Sequence, residues 1–254
     1  MYIMLFINSW TGRFGNNILQ LIRAIYYAEC NQHSNIKFIP HPLLNTTVLN
    51  IGTNNNPSTK TNTFFNLKQL GLKDPSPKIM RNIFRKHVKP ICKLNFDKPA
   101  SNHLFIHIRG GDIFSNNPHP AYVQPPLSYY NKIIKEYNSV TVVSEDKRNP
   151  CINELLRKSN CNYVSDSLKN DLELLLSAKY LVIGFGTFGF LIYLMSSNIK
   201  NLYVPSYFLD ELPEGEWGKD IILHKNDLPN YIKVGEWKNS EKQRNLMINY
   251  NNDL

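Results

Sequence analysis

Residues 104–112 read Leu-Phe-Ile-His-Ile-Arg-Gly-Gly-Asp, an apolar run that stops at an arginine, two glycines and an aspartate. Arg109 carries a planar, permanently charged guanidinium whose N–H fork matches phosphate oxygens. Gly110 and Gly111 let the chain turn tightly and aim amide N–H groups at a ligand. Asp112 is placed to orient Arg109 or the turn, and His107 to lie near a base or a sugar. The combination predicts a phosphate-bearing ligand held at the end of a strand. The plainer alternative is a β-turn with a surface ion pair.

Three further segments carry chemistry. Gly12-Arg13-Phe14-Gly15-Asn16-Asn17 stands between an apolar run and a helical pattern. Its turn delivers backbone amides and a helix N-terminus, a natural site for an anion or polar ligand; otherwise it is a strand-to-helix turn with Asn16 as the cap. Ser144-Glu145-Asp146 ends another apolar run, where the carboxylates could accept from guanine N–H groups or ribose hydroxyls, or cap the next helix. Gly184-Phe-Gly186-Thr187-Phe188-Gly189 fits the dinucleotide pattern G-x-G-x-x-G, with Asp210 about 20 residues after it. The apolar helix that follows argues for a looser use, with Thr187 and amides such as that of Gly186 touching phosphate. Trp10, Trp217 and Trp237 are candidates for stacking on sugars or for packing. His41, His119 and His224 lack metal-ligand spacing, so no metal site is expected.

These segments need elements to position them. Residues 2–9 and 36–39 read as strands around a helix from Asn16 to Asn31 with Ile18, Leu21, Ile22 and Ile25 on one face. Residues 40–63 read as a long loop, 77–95 as helix and 97–102 as a linker. After it the pattern alternates: strands at 103–108, 140–144, 161–164, 180–183 and 202–204, and helices from Pro125-Pro126 to Glu136, over 151–158, over 168–178 and over 187–197. Asn149 and Ser167 read as helix caps. This is an α/β fold with mostly parallel, doubly wound sheet, divided into an N-terminal domain (1–100) and a C-terminal domain (101–254). The last fifteen or so residues are expected to fray or to pack back on the first domain.

The chain has 254 residues, with 29 Lys and Arg against 20 Asp and Glu, a net charge of +9. That balance favours an anionic partner. The basic residues are spread along the chain, which argues against a nucleic-acid footprint and leaves room for peripheral membrane contact. No apolar run reaches the roughly 18–20 residues of a membrane span. The apolar N-terminus lacks a basic leader and a cleavage site and reads as a first strand, so a cytoplasmic protein with reduced cysteines is expected.

Taken in order, the segments resemble the α-1,2-fucosyltransferase family and, more distantly, α-1,6- and protein O-fucosyltransferases. Gly12-Arg-Phe-Gly-Asn16 is similar to the family's G-R-[LF]-G-N-Q, and His107-Ile-Arg-Gly-Gly-Asp112 to H-x-R-R-G-D. Val143-Ser-Glu-Asp146 is similar to F-S-D-D. Asp171 to Ile183, with Thr187-Phe188, is similar to D-L-x-L-M-S-x-C-K-x-x-I-I-x-N-S-T-F. The likeness runs from about residue 3 to residue 208.

The resemblance implies a two-domain glycosyltransferase of the B type (GT-B), two Rossmann-like halves facing a cleft, with no metal and no cofactor. It implies a nucleotide-sugar donor, GDP-fucose, on the C-terminal half and an oligosaccharide or glycoprotein glycan as acceptor. By the same likeness Arg109 holds the diphosphate, His107, Glu145 and Asp146 read the guanosine, and Thr187 and Phe188 line the pocket. Arg13 and Asn16 fall at the reacting centre. The chain departs from the pattern at Gly110, which replaces a second arginine, at Asn17, which replaces glutamine, and at 185–191, which lacks the family's serines and tryptophans. Those departures keep open GDP-rhamnose or a UDP-sugar as donor. Beyond the family, a nicotinamide-dependent oxidoreductase using Gly184–Gly189 and a non-catalytic glycan-binding module remain as alternatives.

Overall fold

The computed structural model describes residues 4–52, 59–218 and 220–251. Positions 2–3 of the expected first strand, 53–58 of the expected long loop and 252–254 of the expected loose tail lie outside them. Packing divides the chain into two units. The first comprises Met1–Asn95, Phe190–Met195 and Pro213–Gly218, and the second Phe96–Gly189, Ser196–Leu212 and Lys219–Leu254.

In the first unit β1 (Leu5–Ile7) is flanked by β2 (Asn35–Phe38) and β4 (Lys60–Asn62), both parallel to it, and β3 (Val48–Asn50) returns antiparallel on β2. Helix α1 (Phe14–Cys30) packs on β1 and β2 through a buried face that includes Ile18, Leu21, Ile22 and Ile25. It begins at Phe14, with Arg13 in the cap position, so Asn16 lies in the first turn and is not the cap. β3 and β4 fall in the stretch expected as loop. Each has only three residues and, as an edge strand, little buried surface, so neither carries a readable apolar pattern. Helix α2 (Pro77–Ile83), capped by the Ser76 hydroxyl, runs on through a π turn at Phe84–Val88 and a 3-10 turn at Lys89–Ile91.

The second unit is built on six strands, β5 (Ser101–His107), β6 (Val140–Val143), β7 (Cys161–Val164), β8 (Ala178–Ile183), β9 (Asn201–Pro205) and β10 (Ile222–Asn226). All pair in parallel, in the order β10-β9-β8-β5-β6-β7. Central strands such as Val140–Val143 are buried on both faces, as apolar parallel strands are. The connecting helices are α3 (Leu127–Ile134), α4 (Pro150–Leu155), α5 (Leu168–Leu176), α6 (Thr187–Met195) and α7 (Ser206–Leu209). Asn149 and Ser167 cap α4 and α5 as their sequence positions suggest, each accepting a backbone N–H of the first turn. The α/β class read from the sequence is the class the chain adopts. Helix α5 ends earlier than its apolar run, because Ala178 already belongs to β8.

The C-terminal stretch differs from expectation. Residues Glu241–Asn249 form α8, capped by Ser240, which packs on α3 and α4. Met247 is fully buried there, and Leu246, Ile248 and Tyr250 lie partly buried against the same core. Four large apolar groups set among polar ones suffice to dock a short helix, although the segment's composition suggests solvent exposure. Among the described residues, no helix is long and apolar enough to cross a membrane.

Candidate functional site

The strand order of the second unit places the chemistry. The chain winds outward from β5 through β6 to β7, returns to the other side of β5 for β8, and continues to β9 and β10. β5 and β8 are therefore the neighbours at which the winding direction reverses. In such sheets ligands bind beyond the carboxyl ends of the strands at that reversal. His107 is paired in register with Ile183, so Ile108-Arg109-Gly110 and Gly184-Phe185-Gly186 leave the sheet side by side. Two segments more than seventy residues apart in sequence thus meet at one point of the sheet edge.

The Arg109 side chain is largely buried. Its Nη2 lies 3.2 Å from both carboxylate oxygens of Asp112. Its Cζ sits 3.9 Å above the centre of the Tyr122 ring. On a third side Nη1 approaches the Gly186 backbone so closely that a Cβ there would lie 3.1 Å away. Gly186 has φ +139°, which a larger residue would adopt only under strain. The guanidinium is thus seated between an aromatic face, a carboxylate and the turn that opens α6.

The double glycine has a different use from the one its composition suggests. The Gly111 N–H donates to Asp146 Oδ2 at 3.1 Å and is spent inside the protein, not presented to a ligand. Asp146 also accepts the Arg148 N–H at 3.0 Å and pairs with Arg148 Nε at 3.2 Å. A Cβ on Gly110 would overlap Asp146 Oδ1, and one on Gly111 would overlap the Glu145 carboxylate. Both glycines are bare because the two acidic side chains lie over them. Gly111 also has φ +63°. The Ser144 hydroxyl, buried, donates to the Asp146 carbonyl at 2.9 Å. Ser144 and Asp146 therefore build the turn around Arg109, and neither caps α4. That cap is Asn149, which also donates from Nδ2 to the Arg109 carbonyl at 3.3 Å.

Across the sheet edge, the His107 ring lies 4.7 Å from the Phe188 ring in the first turn of α6. Thr187 and Phe188 are both half-buried there. The third glycine of the fingerprint, Gly189, rests on the Ile183 side chain, so it serves packing. Asp210 follows α7 and is not at the end of β9. The carboxylate that a dinucleotide site needs at a strand end is therefore displaced.

Burial, and next the charge of Arg109, push the His107 imidazole down to about 3, so it is neutral at neutral pH. The unfolded chain takes up this proton near pH ~6.5, while the native state does so only near 3. His107 therefore contributes stability above about pH 6.5 that is lost as the pH falls toward 3. His107→Asn should show a smaller drop in Tm between about pH 7 and about pH 5 than the unmodified protein. Equal drops in the two proteins would contradict this assignment.

The first unit carries its own turn at the carboxyl end of β1. Gly12 has φ +70°, and its Cα faces the Asn16 side chain directly. Asn17 donates from Nδ2 to the Thr11 carbonyl at 3.1 Å. Gln20, fully buried, accepts the Thr11 N–H at 2.7 Å and donates to the carbonyls of Ser9 and Thr63. Gly15 is buried in the first turn of α1, and Arg13 is exposed. Trp10 lies half-buried beside Phe38 and His41. The other tryptophans pack: Trp237 is buried with its N–H on the Ile113 carbonyl, and Trp217 lies against Phe190 and Tyr193.

Sequence reasoning passed over Tyr122, Gln124 and Asn149's second bond. Gln124 is fully buried, and its Nε2 donates to the carbonyls of Phe185 (3.0 Å), Tyr122 (3.3 Å) and Val123 (3.4 Å). Its only signal in the sequence is a polar residue between Val123 and Pro125-Pro126. No group of three His, Cys, Asp or Glu suited to a metal occurs among the described residues.

No protein-family model matches the chain. No curated protein matches it either. Among solved structures the chain is similar to E. coli heptosyltransferase WaaC with ADP, at 10% identity and a TM-score of 0.44, over 88% of this chain and 93% of that one.

Proposed function

We propose that the chain is a glycosyltransferase that moves L-fucose, or a related deoxyhexose, from a GDP-sugar to a hydroxyl of a glycan, with inversion. The observation that carries this reading is Arg109, seated on Tyr122 at the winding reversal and directed at Gly186 and the start of α6. A guanidinium and a helix N-terminus that converge at the carboxyl edge of a parallel sheet suit a diphosphate. The ordered motifs supply the sugar-transfer part of the reading. Two sheets, each with a parallel centre and a glycine turn at the carboxyl edge, are also what a B-type glycosyltransferase requires.

In this reading the acceptor oxygen attacks the anomeric carbon as the bond from that carbon to the diphosphate oxygen breaks, and the acceptor hydroxyl gives up its proton to a carboxylate base, with Asp112 the candidate. The electron pair of that bond leaves with the nucleoside diphosphate. Arg109 and the amides at the start of α6 meet the growing negative charge, and Asp112 orients the guanidinium. His107, neutral, and Phe188 supply a surface for the nucleoside without adding charge. The turn at Gly12–Asn16, with Arg13, is assigned to the acceptor side.

One observation favours a second donor. Asp146, expected to read guanine, is engaged with Gly111 and Arg148. A UDP-sugar, which has the same phosphates and no guanine to be read, would fit the same clamp.

Thermal melts with GDP, UDP, NAD and EDTA test the reading. A ligand that binds the native state raises Tm in proportion to the logarithm of its concentration over Kd. GDP is expected to raise Tm, with EDTA without effect. A shift by UDP alone moves the donor to a uridine sugar, and a shift by NAD alone overturns the reading. Mass-spectrometric detection of transfer separates an enzyme from a glycan-binding module.

A further inference from the structure

We infer that Tyr122 is a positioning residue for Arg109, holding the guanidinium in the phosphate-facing plane without consuming its donors. The inference rests on the proposed nucleotide site. An arginine can be held in two ways. A carboxylate in the guanidinium plane takes up its N–H groups. An aromatic face below the plane attracts the same charge and leaves those N–H groups pointing outward. Arg109 shows both. Asp112 engages one nitrogen, Nη2, and the Arg109 Cζ sits 3.9 Å over the centre of the Tyr122 ring. The ring therefore holds the guanidinium without taking up its Nη donors, the ones a ligand can meet, since Nε is buried.

Tyr122 is itself fixed to the turn that the ligand would share. Its carbonyl accepts from Gln124 Nε2, which also donates to the Phe185 carbonyl between Gly184 and Gly186. Its ring meets Phe185 edge-on at 6.1 Å and packs on His119 at 5.0 Å. Two bonds brace the segment from below, from Tyr207 Oη to the Val123 carbonyl and from Tyr231 Oη to the Gln124 carbonyl. Tyr122 and the glycine turn thus form one block, and Arg109 lies between its two faces. The ring face is the part that acts, so the hydroxyl is dispensable.

A double-mutant cycle read by calorimetric binding of GDP tests this, using Tyr122→Leu, Tyr122→Phe, Arg109→Gln and the Tyr122→Leu/Arg109→Gln pair. Tyr122→Leu is expected to weaken GDP on the order of tenfold, the size of a partly desolvated cation–π contact. Tyr122→Phe should bind within about twofold of the unmodified protein, since its ring keeps the same face. In the Arg109→Gln background, Tyr122→Leu should have no further effect. Loss by Tyr122→Phe equal to that of Tyr122→Leu overturns the inference, as does a Tyr122→Leu penalty that persists in full without Arg109. If the unmodified protein binds UDP and not GDP, the cycle is read with UDP, whose phosphates are the same. Binding of neither nucleotide overturns the proposed site and this inference with it, whereas tight binding with additive effects overturns the inference alone.

Discussion

Replacing Arg109 with alanine is expected to lower kcat about 10²-fold or more while leaving the fold intact. In the proposed transfer, the leaving diphosphate gains charge only as its bond to the sugar breaks. A donor already fixed at that point stabilises the transition state more than the bound donor substrate, so its loss appears in kcat more than in KM. The folding cost is smaller. Arg109 makes one ion pair to an exposed carboxylate and one ring contact, together worth about 1–2 kcal/mol. Arg109→Lys should recover part of the rate, because charge is kept and the planar fork is lost. Turnover in Arg109→Ala close to that of the unmodified enzyme would remove the arginine from the mechanism.

Gly110→Arg, which would install the second arginine of the α-1,2-fucosyltransferase pattern that the chain resembles, is expected to destabilise the protein by about 2–3 kcal/mol and to bring no gain in nucleotide affinity. Its Cβ would occupy the place of Asp146 Oδ1, and the Asp146 carbonyl stands close behind. Asp146 would have to leave, and with it the bonds to the N–H groups of Gly111 and Arg148 and the pairing with Arg148 Nε. The Gly111 bond to this charged acceptor is worth about 1.5–3 kcal/mol, the solvent-exposed Arg148 contacts add little, and the new arginine replaces neither. At roughly 2–4 °C per kcal/mol for a chain of this size, Tm should fall by about 5–10 °C. An unchanged Tm, or tighter GDP binding, would show that the turn rearranges and that the missing charge matters.

The two turns show how far composition reaches. At residues 107–112 the sequence reveals a strand ending in an arginine and two glycines. Those glycines suit a ligand's phosphate and an internal carboxylate equally well. The choice is made by Asp146, thirty-five residues on, whose position depends on β6 lying beside β5. The G-x-G-x-x-G run is similarly ambiguous. Its middle glycine faces Arg109 and its last faces Ile183, contacts that local spacing cannot reveal. Elements were legible where burial imposed a pattern, as in Val140–Val143 and α1, or where a cap marked an end, as at Asn149 and Ser167. They were hidden where few residues are buried. β3 and β4 have three residues each, Ile222 at the start of β10 is 61% exposed, and α8 docks mainly through Met247.

By itself the sequence determined the alternation of strand and helix, the parallel α/β class, the caps at Asn149 and Ser167, and the presence of a phosphate-suited arginine at a strand end. These depend on local propensity and on the burial pattern within one segment. Only the tertiary structure decided that β8 returns beside β5, that Tyr122 lies beneath Arg109, and that Asp146 takes the Gly111 amide. The physical reason is that strand order and side-chain partners are set by how whole layers bury one another. Residues far apart in the chain then share a contact that neither encodes alone.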